Sequence, residues 1–358
     1  MNPCASRRPI PILVPLAALL LSVSAWAQER QRLPVIDMHM HAMAPDANGP
    51  PPISTCTPAI TPESPMPAWD PGLRSWPEVF IEHGKAPGCE DPIWSPMTDE
   101  DMRSRTLGIM ETYNVIGVVD FDTAEHRAAW RAAAPARIIP GRVRTELPMD
   151  RILDIDDEAV ARVKAARDAG DLVVLAEILS QYQGIAPTDE RLAAFWRMAE
   201  ELDVPVGIHL GTGPPGAPYL GSPHYRARLH SALTIEEVLV RHPKLRVYLM
   251  HAGYPMLDDL LAVLMYHPQV YVDVGAIVWA IPRGEFYRYL RTVVEAGYGN
   301  RVLFGSDNMV WPETIGRSIQ VIEDAPFLSE RQKRDILYNN AARFLRLGDE
   351  RIRQHHAM

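Results

Sequence analysis

Residues 35–41, VIDMHMH, place an aspartate and two histidines at alternate positions of an apolar run. On an α-helix, side chains two residues apart diverge, whereas on a β-strand they share one face. The spacing therefore predicts a strand that directs Asp37, His39 and His41 towards one target. The rest of the chain decides what that target is.

Seven further short apolar runs follow, and each is followed by a helical pattern. The runs are VIGVVDFD, RIIPGRVRTE, LVVLAEILSQY, VPVGIHLGTG, RVYLMHAGYP, VYVDVGA and RVLFGSDN. Continuous apolar strands are typical of a sheet covered by helices, and eight βα units in this length predict an α/β fold of the (β/α)8 TIM-barrel type. A doubly wound open sheet is disfavoured because no Gly-x-Gly-x-x-Gly turn follows the first strand.

A long insertion separates the first predicted strand from the rest of the barrel. Residues 43–97 contain 13 prolines, which prevent long helices or strands. Long irregular excursions are usually functional or disordered, and the aromatic residues and cysteines here favour an ordered lid or cap over disorder. We expect three tryptophans to close over the pocket: Trp69, Trp76 and Trp94. A contact in a homodimer is the alternative role for this segment.

The first 27 residues have the pattern of an export signal. Twin arginines precede an apolar core that ends in the small-x-small motif AWA. A membrane anchor is disfavoured because the run is short and broken by prolines. We therefore expect a periplasmic or secreted protein without a membrane segment after signal removal. In such an oxidising compartment Cys56 and Cys89 form a natural disulfide pair, with two unpaired thiols as the alternative.

Composition narrows the partners and the domain organisation. The net charge is −9, with no basic stripe, which argues against nucleic acid or an anionic membrane surface and leaves a small-molecule substrate. The length suits one large domain, so residues 28–350 are predicted to form a single barrel, with residues 351–358 as a tail.

Ionisable side chains occur at or near the ends of five predicted strands. They are His39, His41, Glu177, His209, His251 and Asp307. In a barrel of this type the C-terminal strand ends surround the active site, so all six should converge. Buried imidazoles and carboxylates are costly unless compensated, and a divalent cation compensates both. Such an ion makes its bound water acidic enough to supply a nucleophile near neutral pH.

The motifs IDMHMH, GIHLG, LMHAG and FGSDN, in this order, resemble the metal-dependent amidohydrolase superfamily. The closing helix ILYNNAARFL resembles its amidohydrolase-2 branch, which includes aminocarboxymuconate-semialdehyde-decarboxylase-like proteins. The resemblance spans residues 35–347 apart from the insertion. It implies a divalent metal, usually Zn²⁺ with Mn²⁺ as an alternative, held by His39, His41, His209 and Asp307. It also implies that His251 acts as acid or base and that Asp307 accepts a proton as well as binding the metal.

Glu177 stands where many family members have a carboxylated lysine that bridges two metals. Either Glu177 bridges a binuclear centre, or it is a base or substrate contact beside one metal. Two neighbours, Gln181 and Tyr182, are candidates for substrate contacts on the same rim. Arg144 could clamp a substrate carboxylate through its planar guanidinium, or pair with Glu146 instead.

Four functions fit these observations. A metal-dependent hydrolase of an ester, lactone or amide bond ranks first, because an exported enzyme encounters such substrates from outside the cell. A non-oxidative decarboxylase of an aromatic or unsaturated acid is the second, and a hydratase is related to it. A non-catalytic periplasmic binding protein is the fourth, disfavoured because such proteins usually hinge between two lobes and nothing divides this chain into lobes.

Overall fold

The eight strands expected from the apolar runs are all present, together with two short strands in the insertion. The structure is a computed structural model that describes Met1 and residues 32–358, so the predicted export signal lies outside the described residues apart from Met1. The strands in chain order are β1 Val35–Ala42, β2 Ser54–Thr55, β3 Ile93–Trp94, β4 Val115–Phe121, β5 Ile138–Val143, β6 Leu175–Ile178, β7 Val206–His209, β8 Val247–Met250, β9 Val270–Asp273 and β10 Val302–Leu303.

The helices follow the strands and cover them. In chain order they are α1 Trp76–Lys85, α2 Asp99–Thr112, α3 Ala124–Ala133, α4 Met149–Leu153, α5 Asp157–Asp168, α6 Ala193–Glu201, α7 Glu236–Arg241, α8 Leu257–Tyr266, α9 Ile277–Ala280, α10 Arg283–Val293, α11 Thr314–Glu323, α12 Glu330–Arg334, α13 Asn340–Phe344 and α14 Asp349–His356. Among the described residues, none of the helices is long and apolar enough to span a membrane.

The parallel strands form a ring in sequence order. One sheet has the order β1-β4-β5 and the other β10-β9-β8-β7-β6. The amide of Met38 donates to the carbonyl of Phe304, 2.9 Å away, at one seam between the sheets. At the other seam the amide of Val173 donates to the carbonyl of Pro140 over 2.8 Å. The predicted (β/α)8 barrel is thereby confirmed.

The insertion is ordered around two short strands and one helix. Strands β2 and β3 pair antiparallel, and a disulfide joins Cys56 to Cys89. The indole of Trp311 donates to the carbonyl of Ile53 over 3.0 Å, and the amide of Ala59 donates to the carbonyl of Ala280 over 2.9 Å. These contacts attach the insertion to the loops at the C-terminal ends of the strands, where a barrel places its active site.

The C-terminal residues differ from the prediction of a tail. Helix α14 continues to His356, and the side chain of His355 is buried against the Tyr338 hydroxyl, 3.1 Å from its Nδ1. The sequence of this helix is strongly polar, so its one buried residue gives no apolar periodicity from which a packed helix could be predicted.

Candidate metal centre

All six predicted strand-end residues meet in one buried cup. His39 and His41 lie on β1, Glu177 on β6 and His209 at the end of β7. His251 directly follows β8, and Asp307 lies on the loop after β10. Each is at most 6% exposed. Parallel strands end at the same edge of the barrel, which is why residues far apart in sequence converge.

One side of the cup combines both histidines of β1 with Asp307. His41 Nε2 lies 3.1 Å from Asp307 Oδ1, and His39 Nε2 lies 3.7 Å from the same oxygen. Both Nε2 atoms are also 3.8 Å from an oxygen of Glu177. Two imidazole nitrogens and two carboxylates therefore face a common point.

Glu177 also reaches the other side of the cup. Its Oε1 lies 2.7 Å from His209 Nδ1 and 3.4 Å from His251 Nε2, and these two nitrogens are 2.9 Å apart. His251 Nδ1 donates to the carbonyl of Gly275 over 2.8 Å, which leaves its Nε2 facing the cup. Glu177 is thus shared between two pairs of histidines.

Asp273 is a functional residue that the sequence reasoning missed. Its Oδ2 lies 3.0 Å from His39 Nδ1, while its Oδ1 accepts the backbone N–H groups of His251 and Gly275 at 3.0 and 2.8 Å. A carboxylate on Nδ1 directs the Nε2 lone pair of His39 into the cup, as is usual for metal-binding histidines. The sequence did contain a signal for Asp273, because it ends the apolar run VYVD of β9 just as the other polar residues end their strands.

Glycine is required beside this carboxylate. A Cβ at Gly275 would lie 2.4 Å from His39 Nδ1, closer than any tolerated contact. The small residue lets the loop after β9 approach His39 and His251 together. The motif DVG is therefore part of the site.

Several residues of the cup have left-handed backbone conformations without being glycine. The φ angles are 61° at His251, 55° at Ala276 and 51° at Asp307. The amide of Asp307 donates to the carbonyl of His39 over 2.7 Å, which holds this turn in place. Such conformations cost energy and concentrate at functional sites, where the surrounding structure enforces them.

The electrostatics of the cup favour a cation. Burial disfavours a charged imidazole, yet Asp307 and Asp273 outweigh it and raise the pKa of His39 to about 10. Burial likewise disfavours the Asp307 carboxylate, but His39 and His41 hold its pKa at about 2. Burial and the neighbouring His251 lower the pKa of His209 to about 4, so this imidazole is neutral. Three carboxylates, those of Glu177, Asp273 and Asp307, and a neutral imidazole therefore line the cup, and these are groups that a divalent cation binds.

The residues fit a divalent metal. Three overlapping sets have ligand atoms within 4.8 Å of one another: His39, His41 and Glu177; Glu177, His209 and His251; and His39, His251 and Asp273. The Nε2 atoms of His39 and His209 are buried and have no hydrogen-bond partner among the described residues. Neutral imidazole and carboxylate are the donor types that zinc and manganese bind in proteins.

Arg144 lies beside the cup, and its guanidinium is bound by the carboxylate of Asp120 and lies near that of Glu177. Its Nε donates to Asp120 Oδ2 over 2.6 Å, and its Nη2 lies 3.2 Å from His41 Nδ1 and 4.0 Å from Glu177 Oε2. Burial opposes its charge, but Asp120 and Glu177 raise its pKa above the usual value. The alternative partner considered for Arg144, Glu146, pairs with Arg127 instead.

Of the two residues predicted to contact substrate on the rim, Tyr182 faces the cavity and Gln181 does not. Tyr182 lines the cavity above the cup, and its ring centroid lies 4.8 Å from that of His209. Gln181 is buried and turned away, with its amide nitrogen donating to the carbonyl of Gly211 over 3.3 Å and its oxygen accepting the Gly211 amide over 3.4 Å. Gln181 is not among the residues that line the cavity, because both ends of its side chain are bound to one backbone segment.

A cavity of about 410 Å³ extends from the cup to the insertion, and its walls are mainly apolar. Apolar side chains of the wall come from both parts: Ile53, Ile60, Met66 and Phe80 of the insertion, and Trp279, Ile281 and Trp311 of the barrel loops. The insertion thus forms part of the cavity wall, but its three tryptophans, Trp69, Trp76 and Trp94, are not among the lining residues. Trp76 donates to the carbonyl of Pro215, Trp69 stacks on Trp76 and Tyr219, and Trp94 lies on β3 at 38% exposure.

Solved structures with similar folds include two decarboxylases. The 2,6-dihydroxybenzoate decarboxylase from Rhizobium is 14% identical, with a TM-score of 0.54 over 88% of this chain and 99% of that chain. Dihydroxybenzoic acid decarboxylase from Polaromonas sp. JS666, solved with bound manganese and the inhibitor 2-nitroresorcinol, is also 14% identical, with a TM-score of 0.53 over 89% and 99% of the two chains. At this identity the similarity establishes the barrel fold.

One further solved structure and one sequence relative are similar to this chain. An uncharacterised TIM-barrel protein from Bordetella bronchiseptica is 17% identical, with a TM-score of 0.52 over 88% of this chain and 99% of that chain. Protein fluG of Emericella nidulans is 25% identical over 120 residues, which make up 34% of this chain and only 13% of that protein. The amidohydrolase family model, of the amidohydrolase-2 branch, matches residues 36–347. The chain therefore belongs to the amidohydrolase family.

Proposed function

We propose that the protein is a metal-dependent hydrolase that cleaves an ester, lactone or amide bond in a neutral, largely apolar substrate. The position of Glu177 carries this proposal. Its carboxylate lies within 3.8 Å of ligand nitrogens from His39 and His41 and also contacts His209 and His251. A carboxylate shared in this way suits a bridge between two divalent ions, an arrangement common in hydrolases.

The cup's own residues would hold the metal and manage protons. His39, His41 and Asp307 on one side, and His209 and His251 on the other, would hold one or two divalent ions, with zinc as first candidate and manganese as second. The metal would supply an acidified water and polarise the carbonyl of the substrate. Asp273 would keep His39 Nε2 free of a proton, because its carboxylate accepts a hydrogen bond from Nδ1–H and so holds the ring proton on Nδ1.

Asp307 and His251 have positions suited to acid and base roles. In the proposed reaction a water oxygen bonds to the carbonyl carbon, and its proton passes to an oxygen of Asp307. His251, fixed through its Nδ1 by the Gly275 carbonyl, presents Nε2 to the oxyanion that develops. The C–O or C–N bond then breaks, and Asp307 returns the proton to the leaving oxygen or nitrogen.

The cavity walls support an uncharged substrate. Among the described lining residues the only arginine or lysine is Arg144, and Asp120 already binds it at 2.6 Å. A carboxylate entering the cavity would have to compete with buried acids for this guanidinium, and the apolar wall would desolvate it at a cost. An acyl or aryl group, in contrast, gains by burial against Phe80 and Trp279.

A decarboxylase is the second candidate, because Arg144 does line the cavity and lies next to the ligand His41. If a substrate carboxylate displaced Asp120 from Arg144, the guanidinium could hold an aromatic acid. Two of the solved structures with this fold are named as decarboxylases of dihydroxybenzoic acids.

We further propose that the protein is exported and that residues 43–97 act as a lid. The disulfide between Cys56 and Cys89 supports an oxidising compartment. Insertion residues such as Ile53 and Phe80 form part of the cavity wall, which supports a lid over a dimer contact.

The test combines elemental analysis with a substrate panel of esters, lactones, amides and aromatic acids. We expect one to two divalent ions per chain and hydrolysis of neutral apolar substrates. Glu177→Gln should lower metal affinity or turnover by about 10–100-fold, because the neutral amide is a poor bridging ligand. Glu295→Gln is the matched control, because Glu295 is exposed whereas Glu177 is buried. It should change neither metal affinity nor turnover.

Two outcomes would overturn the proposal. Release of CO₂ from an aromatic acid without hydrolysis of any panel member would assign the decarboxylase instead. Full hydrolytic turnover by a metal-free Glu177→Gln protein would remove the role of the cup.

A further inference from the structure

The turn that carries His251 has an unfavourable backbone conformation. His251, Ala252 and Gly253 all have positive φ angles, of 61°, 50° and 65°. This conformation is costly for the two residues that have a Cβ, so contacts from outside the turn have to stabilise it. Asp273 and Gly275 bind the amide and the imidazole of His251 itself, so the turn beyond that residue needs other partners.

Gly211, on the loop after β7, packs directly against this turn. A Cβ at Gly211 would lie 2.6 Å from the Cβ of His251 and 3.2 Å from its carbonyl oxygen, so the approach requires glycine. The neighbouring carbonyl of Leu210 accepts the amide of Gly253 over 2.8 Å. The position of this loop therefore determines where the turn, and with it His251, can lie.

Two buried side chains hold Gly211 in this position. Gln181 binds it through both ends of its amide, with Nε2 donating to the Gly211 carbonyl over 3.3 Å and Oε1 accepting the Gly211 amide over 3.4 Å. The Tyr225 hydroxyl lies 2.9 Å from the same carbonyl oxygen and 2.9 Å from Nε2 of the buried His230. Because these groups are buried, removal of any one of them leaves a partner unpaired.

His230 continues the network to the other end of the turn. Its Nδ1 donates to the carbonyl of Tyr254 over 3.0 Å, which in a neutral imidazole leaves Nε2 to accept from the Tyr225 hydroxyl. The Gly211 carbonyl keeps a donor even then, because Gln181 also binds it. Tyr254 directly follows the turn, so the network holds the turn from both sides.

We propose that Gln181, Tyr225 and His230 are positioning residues that hold the turn so that His251 Nε2 points at the reacting carbonyl. This inference rests on the proposed role of His251 in the hydrolase reaction. None of the three side chains lines the cavity above the cup, so they act through the turn and not on the substrate. His251 Nε2 lies 2.9 Å from His209 Nδ1, and a displacement of about 1 Å at such a position can cost roughly 100-fold in rate.

The test uses the purified, metal-loaded protein with phenyl acetate as the probe ester. Tyr225→Phe removes one hydroxyl and keeps the ring, and Gln181→Leu removes both amide contacts with Gly211. For each variant we expect kcat to fall by roughly 10–100-fold, while KM and metal content stay within about twofold of the unaltered protein. This split separates a misplaced His251 from a general loosening of the site.

Each variant has a matched control. The Tyr287 hydroxyl donates to the carbonyl of Val321 over 2.9 Å between α10 and α11, so Tyr287→Phe loses an equivalent hydrogen bond away from the cup. Gln183 belongs to the same turn as Gln181 but is exposed, so Gln183→Leu controls for the second variant. Both controls should keep the kcat of the unaltered protein.

A second measurement reports on His251 without any turnover. Long-range ¹H–¹⁵N spectra record its ring nitrogens, and these signals should shift in Tyr225→Phe and in Gln181→Leu but not in the two controls. If no ester, lactone or amide is hydrolysed, the proposed function fails, and the spectra still decide whether the network positions His251.

The inference is overturned if Tyr225→Phe and Gln181→Leu leave both kcat and the His251 ring signals unchanged. It is also overturned if their whole effect lies in KM or in metal content, or if Tyr287→Phe lowers kcat as much as Tyr225→Phe does.

Discussion

Asp273 shows how one side chain can organise a whole site. One of its oxygens fixes the proton of His39 on Nδ1, and the other holds the backbone of His251 and Gly275. Two histidines from different strands are therefore aligned by a residue that need not touch a substrate. Residues in this supporting position are usually nearly as sensitive to substitution as the ligands themselves.

Asp273→Asn should weaken metal binding by about 10–100-fold. The Asn oxygen can still accept the two backbone N–H groups, but its NH₂ group would then face His39 Nδ1. That contact forces Nδ1 to accept and moves the proton to Nε2, the nitrogen needed for the metal. The measurement is the metal dissociation constant by competition with a chelator, with exposed Asp258→Asn as control. An unchanged constant would show that Asp273 does not set the tautomer.

Sequence reasoning worked well for residues that obey a single rule. His39, His41, Glu177, His209, His251 and Asp307 were found because each follows an apolar run at a strand end, and the structure places all six in one cup. The orientation of a side chain on an irregular turn has no such rule. The sequence alone therefore does not distinguish the buried Gln181 from Tyr182, which lines the cavity.

At the scale of elements, the insertion has little regular structure, yet it forms part of the wall of the cavity above the cup. It contributes two-residue strands, one helix and part of the cavity wall. Short elements of this kind bury too little apolar surface to be stable alone, so covalent and hydrogen-bonded ties to the barrel have to hold them.

Removing the disulfide should therefore destabilise the insertion. Cys56 and Cys89 are 33 residues apart, and a loop of this length corresponds to about 3–4 kcal/mol of unfolding free energy in the chain-entropy treatment. We expect Cys56→Ser with Cys89→Ser to lower the denaturant midpoint and to raise KM for apolar substrates more than it lowers kcat. Reductant should reproduce the shift in the unaltered protein and have no effect on the double variant; equal midpoints would contradict the prediction.

The barrel strands could be predicted because burial on both faces makes them continuous apolar runs. The insertion could not be predicted in detail, since proline removes the periodicity on which such predictions depend. Its tryptophans are expected over the pocket, whereas Trp76 donates its indole N–H to the Pro215 carbonyl. A hydrogen bond to a backbone group of another loop leaves no trace in the sequence.

At the scale of the whole molecule, the C-terminal helices join the core of the barrel. Tyr338 and Phe344 belong to one hydrophobic cluster with Ile36 and Met38 of β1. Helix α14 then covers Tyr338, with His355 3.1 Å from its hydroxyl. The first barrel strand and the C-terminal helices therefore share one hydrophobic cluster. Loss of α14 should lower the free energy of unfolding of the whole barrel.

The charge state of His355 should make this stability depend on pH. Burial and the nearby Arg351 and His356 lower the pKa of His355 from 6.5 to about 4. The unfolded chain therefore binds a proton more readily than the folded one between these values, so the free energy of unfolding rises with pH across that window. The contribution is complete above pH 6.5 and lost as pH falls towards 4. Solvent screening near the helix end limits it to about 1–2 kcal/mol.

Urea unfolding at a series of pH values between 4 and 8 measures this effect. His355→Gln cannot titrate, so its free energy of unfolding should be flatter between pH 4 and 6.5 than that of the unaltered protein, although lower at pH 7 because the packing against Tyr338 is disturbed. His224→Gln, at an exposed position, should keep the original slope. Identical slopes for His355→Gln and the unaltered protein would mean that α14 contributes to stability through apolar contacts alone, without the pH-dependent coupling between Tyr338 and His355.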